Sequence, residues 1–302
     1  MSGKSDSLTT IFYALGANFA IFVSKLVAAL MTGSGSMLAE AVHSLADCAN
    51  QGLLLIGMRN AKRAPSAEHP LGFGKVIYFW SFLVALLLFS VGGTFSFYEG
   101  MHKLEYPEPL RAPWIAVGVL VFGLLAETFS MWGCMREVNK ARGDTNLWRW
   151  VRTSRQSELI VVFAEDLAAL IGLAMALIAV VATMLTGDPV YDAIGSIAIG
   201  LLLGLIAVFL ARQVSKLLVG KSAEAGVREA IADFVRAQPE VELVFNQITL
   251  QLGPDIMVAT KAKMRGELSG REQVEAINRV EVAMKAQFPE IRWSFFEPDI
   301  ED

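Results

Sequence analysis

Six long apolar stretches constrain what this chain can fold into more than any other feature. They cover residues 8–31, 36–58, 76–101, 114–135, 159–185 and 190–211. A helix needs about 20 largely apolar residues to cross the hydrocarbon core of a bilayer, and each stretch reaches that length. Hydrophobic residues make up 54% of the chain and charged residues 19%, and the apolar excess lies in these stretches. We therefore predict an α-helical membrane bundle of six transmembrane helices.

Lysine and arginine are distributed unevenly among the predicted loops, which indicates an orientation. The loops after the second and fourth spans are basic, and they carry Arg59, Lys62, Arg63 and Lys75, and Arg136, Lys140, Arg142, Arg149, Arg152 and Arg155, respectively. The loop after the third span balances Lys103 and Arg111 with glutamates. Cytoplasmic loops of membrane proteins are enriched in Lys and Arg. We therefore expect an integral, multi-pass protein with both termini cytoplasmic, in a bacterial inner (plasma) membrane.

The composition after Lys221 changes to that of a soluble domain. Apolar periodicity and the turn signal Gly253-Pro254-Asp255 predict a helix, two strands, a helix and a last strand at residues 223–237, 241–252, 256–264, 269–288 and 291–296. We therefore predict a transmembrane domain over 1–215 and a cytoplasmic α+β domain (α-β-β-α-β) over 216–302. So small a domain has a limited core, which favours a homodimer.

Several classes of function are disfavoured by the composition. The net charge of −4, without a basic patch interleaved with aromatic residues, speaks against nucleic acid as a partner. The chain has three histidines and no HExxH pattern, so we expect no intramembrane metalloenzyme and no enzyme of another kind. Cys48 and Cys134 form no CxxC pair, and we interpret both as small buried hydrophobic residues.

The second span carries the residues with the clearest chemistry. His43 and Asp47 are four positions apart, so their side chains project from one face of a helix. An imidazole nitrogen and a carboxylate oxygen suit Zn²⁺ and neighbouring divalent metals. A structural His–Asp hydrogen bond within the bundle is the alternative. Glu40 and Asn50 share this face and could orient the two side chains.

The fifth span holds two adjacent carboxylates, Glu165 and Asp166, in an otherwise apolar helix. Ionisable groups inside a membrane cost several kcal/mol unless they are paired or bind an ion. Another helix therefore supplies a cation, or the interior holds a metal ion. If the second and fifth spans meet, His43, Asp47 and Asp166 supply three metal ligands, and Glu165 or water supplies the fourth.

Three further polar residues within the predicted spans have open roles. Glu127 is either a proton site or a partner of Lys25 or Asn18, and Lys25 itself could pair with a carboxylate on a neighbouring helix. Asp192, near the start of the sixth span, caps a helix or lines an outer vestibule.

Three motifs in order resemble the cation diffusion facilitator family of divalent metal transporters. SMLAEAVHSLADCANQ (36–51) resembles its second span, HPLGFGK (69–75) the following loop, and DPVYDAIGS (188–196) the start of its sixth span. The resemblance covers essentially the whole chain, including the tail. It implies export of divalent cations, usually Zn²⁺, by proton-coupled alternating access in a homodimer.

The resemblance also assigns residues. It makes His43 and Asp47 the first ligand pair and Asp166 the aspartate of the fifth span, while Val162 stands where most relatives carry another His or Asp. Glu165 is the natural substitute, and VVFAEDLAAL resembles the subgroup that contains mitochondrial zinc transporter nine. The imidazole favours Zn²⁺ as the transported substrate, with Mn²⁺, Fe²⁺, Co²⁺ and Ni²⁺ open. A transport-inactive member that acts as a metal-binding or scaffold partner is the alternative.

The auxiliary metal sites of some relatives are expected to be absent. Phe73 stands where some relatives carry a second histidine in the loop after the second span, so His69 is interpreted as a loop residue. The tail contains neither His nor Cys. We therefore do not expect zinc to join the tails of two chains.

Overall fold

The computed structural model describes residues 3–301, and for residues 3–15, 17 and 89 the description is of the backbone alone. The fold is mostly helical and ends in a small sheet domain. In chain order the elements are α1 (Gly3–Thr32), α2 (Gly35–Ala61), α3 (Val76–Leu87), a π-helical turn (Leu88–Gly93), α4 (Thr94–Glu105), α5 (Pro113–Arg142), α6 (Leu147–Thr153), α7 (Ser157–Thr186), α8 (Val190–Val219), α9 (Ala225–Arg236), β1 (Val241–Leu252), β2 (Asp255–Met264), α10 (Gly270–Gln287) and β3 (Ile291–Pro298).

Four helical stretches of the described chain are long and apolar enough to cross a membrane. They are Val76–Glu105, which joins α3 to α4, and the helices α5, α7 and α8. The third to sixth predicted spans are therefore confirmed as long apolar helices. Helices α1 and α2 occupy the positions of the first two spans with 30 and 27 residues. The apolar stretch described for α1 is the shorter Asn18–Thr32, and α2 carries the polar residues noted above.

The third predicted span is interrupted by the π-helical turn, which the apolar pattern alone does not predict. The end of this turn and the helix α4 that follows it pack closely against α8. A Cβ on Gly93 would lie 3.2 Å from the carbonyl oxygen of Gly200, and one on Gly100 would lie 2.8 Å from the carbonyl oxygen of Ala193. Small residues allow the backbones of membrane helices to approach each other in this way.

The chain divides into two compact units. One comprises the chain through Ile56 together with Trp80–Leu147 and Glu158–Gln213, and it contains most of the membrane-length helices. The other comprises Gly57–Phe79, Trp148–Ser157 and the chain from Val214 onward. The second unit therefore includes two loops as well as the tail.

The tail has the predicted order α-β-β-α-β. Its sheet has the strand order β1-β2-β3, in which β1 and β2 are antiparallel and β2 and β3 are parallel. Helix α10 makes the crossover between the parallel strands and begins at a capping box formed by Ser269 and Glu272. Helices α9 and α10 and the sheet share one apolar core, which includes Ile231, Val235, Val258, Val280, Met284 and Ile291.

Two loops pack on the tail within the second unit. The hydroxyl of Tyr78 accepts a hydrogen bond from the Gly253 amide at 3.1 Å and donates one to its carbonyl oxygen at 3.4 Å. The Arg155 side chain donates to the carbonyl oxygens of Ser222 and Ala223, and its backbone amide donates to the Glu224 carboxylate. These contacts join the start of α3 and the residues before α7 to the tail.

Candidate functional site

The amino-terminal end of α2 is held by a carboxylate from another helix. Asp192 of α8 accepts hydrogen bonds from the backbone amides of Gly35 at 2.6 Å and Ser36 at 3.3 Å, and from the hydroxyl of Ser34 at 2.6 Å. A carboxylate at this position satisfies free amides and interacts favourably with the helix dipole. Asp192 therefore caps a helix start, as one sequence alternative proposed, but the helix is α2 rather than its own α8.

His43 and Asp47 lie on the buried face of α2, one turn apart. The Nε2 atom of His43 lies 3.6 Å from Oδ2 of Asp47, which is longer than a hydrogen bond. Neither ring nitrogen of the fully buried His43, nor Oδ1 of Asp47, has a hydrogen-bond partner within the described chain. Buried polar atoms are nearly always partnered. The geometry therefore does not favour the structural His–Asp hydrogen bond.

Glu165 and Asp166 are adjacent on α7 and contact different helices. Asn50 of α2 donates a hydrogen bond from Nδ2 to Oε1 of Glu165 at 2.6 Å. Ser130 of α5 donates to Oδ2 of Asp166 at 3.3 Å. Successive side chains on a helix project about 100° apart, which explains why the two carboxylates diverge. The second and fifth predicted spans therefore meet, which was the condition for a shared site.

The carboxylates surround a cavity of about 50 Å³ between α1, α2, α5 and α7. Its lining combines four acidic residues with polar and apolar neighbours: Asn18, Ile21, Ser44, Asp47, Gln51, Glu127, Ser130, Val162, Glu165, Asp166 and Ala169. One water needs roughly 10–15 Å³ measured in this way, so the cavity has room for an ion with a few waters. His43 is not part of this lining.

The four predicted ligands are thus near one cavity without forming a finished coordination shell. Asp47, Glu165 and Asp166 line it, and His43 stands one turn before Asp47 on α2. Within the described residues, no group of three or more His, Cys, Asp and Glu side chains is close enough to hold a metal ion. Binding one ion with all four side chains would require them to move together.

The buried Lys25 and the half-buried Glu127 each had more than one predicted role. The ammonium of Lys25 pairs with Glu40 at 3.1 Å and donates to the hydroxyl of Ser44 at 2.8 Å. Glu127 instead lines the cavity together with Asn18. The i/i+4 spacing of Glu40 and Ser44 was visible in the sequence, but nothing in it indicated which helix would supply the cation.

The other two histidines make aromatic contacts. The ring of His69 stacks on that of Phe73, with centroids 4.4 Å apart. The ring of His102 lies near those of Tyr98 and Tyr106. His69 and Phe73 are therefore neighbours in the segment between α2 and α3.

Known proteins with related sequences include, by name, a zinc antiporter, a metal tolerance protein and a cation-efflux pump. The chain is 32% identical over 263 residues to the proton-coupled zinc antiporter SLC30A9, mitochondrial, of Xenopus laevis, covering 86% of this chain and 46% of that protein. It is 32% identical over 243 residues to metal tolerance protein C4 of Arabidopsis thaliana, covering 80% and 53%. The cation-efflux pump FieF of Cronobacter sakazakii is 25% identical over 269 residues, covering 89% and 85%. The chain spans about half the length of the first two relatives.

A family model supports the same relationship over most of the chain. The model described as the cation efflux transmembrane domain matches residues 11–219. The resemblance inferred from the motifs is therefore confirmed, including the likeness to the zinc transporter nine subgroup. Residues His43, Asp47, Glu165 and Asp166 all fall within the matched region. The chain belongs to the cation efflux family of integral membrane transporters.

Proposed function

We propose that this protein carries divalent transition-metal ions, foremost Zn²⁺, across a membrane in exchange for protons by alternating access. One observation carries the proposal. An imidazole that is fully buried and has no hydrogen-bond partner among the described residues lies one turn from a cavity lined by four carboxylic acids. Relatives named as a proton-coupled zinc antiporter and a cation-efflux pump support it. Zn²⁺ is a transported substrate here, not a cofactor, and no enzymatic reaction is proposed.

His43, Asp47 and Asp166 are the proposed ligands, with Glu165 or water as the fourth. Among the described residues, the ring nitrogens of His43 and Oδ1 of Asp47 have no hydrogen-bond partner, so one imidazole nitrogen and one carboxylate oxygen offer free lone pairs. Glu165 has one oxygen engaged by Asn50, so it must leave this contact or share it to bind metal. Metal requires deprotonated ligands, so protons and metal compete for the same atoms. That competition provides the coupling that an antiporter needs.

Zinc is the preferred cargo in this proposal because the imidazole nitrogen suits it better than it suits hard ions such as Mg²⁺. Mn²⁺, Fe²⁺ and Co²⁺ are the rival cargoes. Their affinity for the site relative to Zn²⁺ rises if the carboxylates of Asp47, Glu165 and Asp166 supply most of the ligands. Competition between these metals and Zn²⁺ for uptake would rank them directly.

The proposed topology has six transmembrane helices over 1–215, a cytoplasmic domain over 216–302, and both termini in the cytoplasm of a bacterium. A helix of 27 residues such as α2 is about 40 Å long, which is enough to cross the hydrocarbon core. Its polar residues Glu40, His43 and Asn50 are buried within the protein, so a membrane position does not require lipid to contact them. The distribution of Lys and Arg supports the orientation.

A homodimer is part of the proposal. The tail is small, and its sheet leaves large apolar side chains exposed at Leu243, Ile248 and Phe295. Apolar residues on the solvent side of a small sheet are typical of surfaces that contact another chain. Because the tail has neither His nor Cys, this contact is proposed to form without zinc. Crosslinking in membranes before and after chelation would test both statements.

The alternative is a family member that binds metal or a partner without transporting ions. Val162 favours it, because this apolar side chain lines the cavity at a position where most relatives carry a ligand. The two possibilities differ in one measurable property. A working carrier moves protons when metal is added, whereas a scaffold does not.

The test is Zn²⁺ uptake and metal-driven proton flux with the purified full-length protein in liposomes under a pH gradient. We expect Asp47→Ala and Asp166→Ala to lower uptake by at least about tenfold, since each removes a charged ligand worth more than ~1.4 kcal/mol. Asp233→Asn is the matched control, because this carboxylate is exposed on α9 and pairs with Arg236. Unchanged uptake by both alanine variants would disprove the site, and an inactive wild type with all four metals would favour the scaffold.

A further inference from the structure

An ion pair is buried beside the proposed ligands, and the transport mechanism as stated does not use it. Lys25 of α1 and Glu40 of α2 lie 3.1 Å apart with side chains at most 1% exposed. The ammonium also donates to the hydroxyl of Ser44 at 2.8 Å. Glu40 and Ser44 are one turn apart, so the ammonium is held between two positions that flank His43 in the sequence.

The pair is connected to the cavity through one side chain. Ser44 lines the cavity together with Asp47, whereas Lys25 and Glu40 do not. The ammonium therefore lies directly behind the cavity wall. Of the two charges, the ammonium is the one bonded to a residue of the cavity wall.

Packing from two further helices holds the pair in this position. A Cβ on Gly172 of α7 would clash with Oε1 of Glu40, and one on Gly123 of α5 would lie 3.5 Å from Cε of Lys25. The carboxylate thus fills the space that a glycine leaves on α7. The two charges are confined behind the wall and are not free to enter the cavity as ligands.

Stabilising the contact between α1 and α2 does not by itself explain why an ion pair is buried here. Replacing a buried ion pair with apolar residues of similar volume is often neutral or stabilising. A fixed cation has a specific effect here, because the cavity gathers the carboxyl groups of Asp47, Glu127, Glu165 and Asp166. So many acidic groups would hold a divalent cation tightly, and a nearby positive charge weakens that hold.

We propose that Lys25 is a positioning residue that sets the metal affinity of the transport site, and that Glu40 keeps its ammonium behind the cavity wall. The inference rests on the proposed function, since it assumes that a divalent cation enters this cavity. Lys25 lowers the affinity enough for release, and it does so without touching the ion.

Two single substitutions should change the affinity in opposite directions. Lys25→Met removes the positive charge, so the Kd for Zn²⁺ should fall about tenfold, which corresponds to ~1.4 kcal/mol. Glu40→Gln leaves the ammonium without its partner, so the Kd should rise by a similar factor. The double variant should bind more tightly than wild type and more weakly than Lys25→Met, because the ammonium, bonded to Ser44 of the cavity wall, acts on the ion more strongly than the carboxylate behind it.

The measurements are Zn²⁺ affinity of the purified full-length protein by competition with a chelating dye, and KM and Vmax for Zn²⁺ uptake in liposomes. Lys25→Met should lower KM together with Vmax, because a tightly held ion leaves slowly. Lys103→Met is the matched control, since Lys103 also pairs with a buried carboxylate, that of Asp192. Asp192 binds α2 at Gly35, about 13 Å of helix before Ser44, so the Kd of this variant should equal that of wild type.

Damage to the fold would not reproduce this pattern, because it raises Kd in both single variants. A rise in both, or an equal fall in Lys103→Met, would overturn the inference. If the single variants do not yield monodisperse protein, the double variant decides, since a Kd above that of wild type contradicts the proposal and a lower one supports it. A wild type that neither binds nor transports metal instead refutes the proposed function itself.

Discussion

Val162 shows most clearly how one residue can limit a site. It lies on α7 four positions before Asp166, so both side chains share a helix face, and both line the cavity. An apolar group at this position contributes no lone pair to an ion. The proposed site therefore depends on Glu165, which immediately precedes Asp166 and has a carboxylate oxygen engaged by Asn50.

A histidine at this position should add a ligand. We expect Val162→His to lower the KM for Zn²⁺ by about tenfold, or ~1.4 kcal/mol of added binding free energy. It should also increase discrimination against Mn²⁺, because imidazole nitrogen favours zinc over harder ions. Zn²⁺ and Mn²⁺ uptake by the purified protein in liposomes measures both effects.

Val162→Leu serves as the control, since it changes the volume of the side chain without adding a nitrogen. Its KM should not fall. If both variants alter KM alike, the volume of the cavity rather than ligand number determines affinity, and the placement of Val162 beside the ion is wrong.

Helices α4 and α8 approach each other through glycine, and this contact defines one side of the helical unit. A Cβ on Gly200 of α8 would lie 2.6 Å from the amide nitrogen of Phe97. Backbone atoms cannot move aside as the end of a flexible side chain can. Helix α8 also carries Asp192, whose carboxylate binds the start of α2.

Gly200→Ala should separate α4 from α8 and destabilise the protein. Overpacking of this kind costs about 1–3 kcal/mol, and we expect a lower midpoint of thermal unfolding in detergent. Gly118→Ala on α5 is the matched control, because a Cβ there meets nothing within 4 Å. Alanine favours a helix over glycine, so the control should unfold at the wild-type temperature or above. Equal midpoints for both variants would contradict the close approach.

The tail and two loops form one compact unit at the scale of the whole molecule. Arg155 is the central residue of one contact, since its guanidinium donates to the carbonyl oxygens of Ser222 and Ala223. Burial lowers the pKa of Arg155, but arginine remains protonated at physiological pH. The contact should therefore not depend on pH near neutrality, and it contains no metal ligand.

Arg155→Gln should loosen the start of the tail. Loss of hydrogen bonds from a charged donor to buried carbonyl groups costs about 1–3 kcal/mol. Amide hydrogen exchange at residues 222–226 should become faster in this variant, with no change in the strands of the tail. Arg149→Gln is the control, since this side chain is exposed on α6. Wild-type exchange rates in Arg155→Gln would show that the contact does not hold the segment.

The sequence by itself determined the features that depend on local pattern. Hydropathy predicted the long helices α5, α7 and α8, and apolar periodicity predicted the order of the tail elements. The i/i+4 spacing placed His43 and Asp47 on one face of α2. These predictions succeeded because helix and strand periods depend on neighbours within a few residues.

Only the tertiary structure decided which distant polar groups are partners. Lys25 and Glu40 are separated by 15 residues, Asn50 and Glu165 by 115, and Gly35 and Asp192 by 157. Each contact requires particular rotations of two or more helices, and these follow from packing rather than from spacing along the chain. The carboxylates near the cavity were visible in the sequence. Lys25 was visible too, but its pairing with Glu40 and its place behind the cavity wall were not, because these contacts form only when the helices pack together.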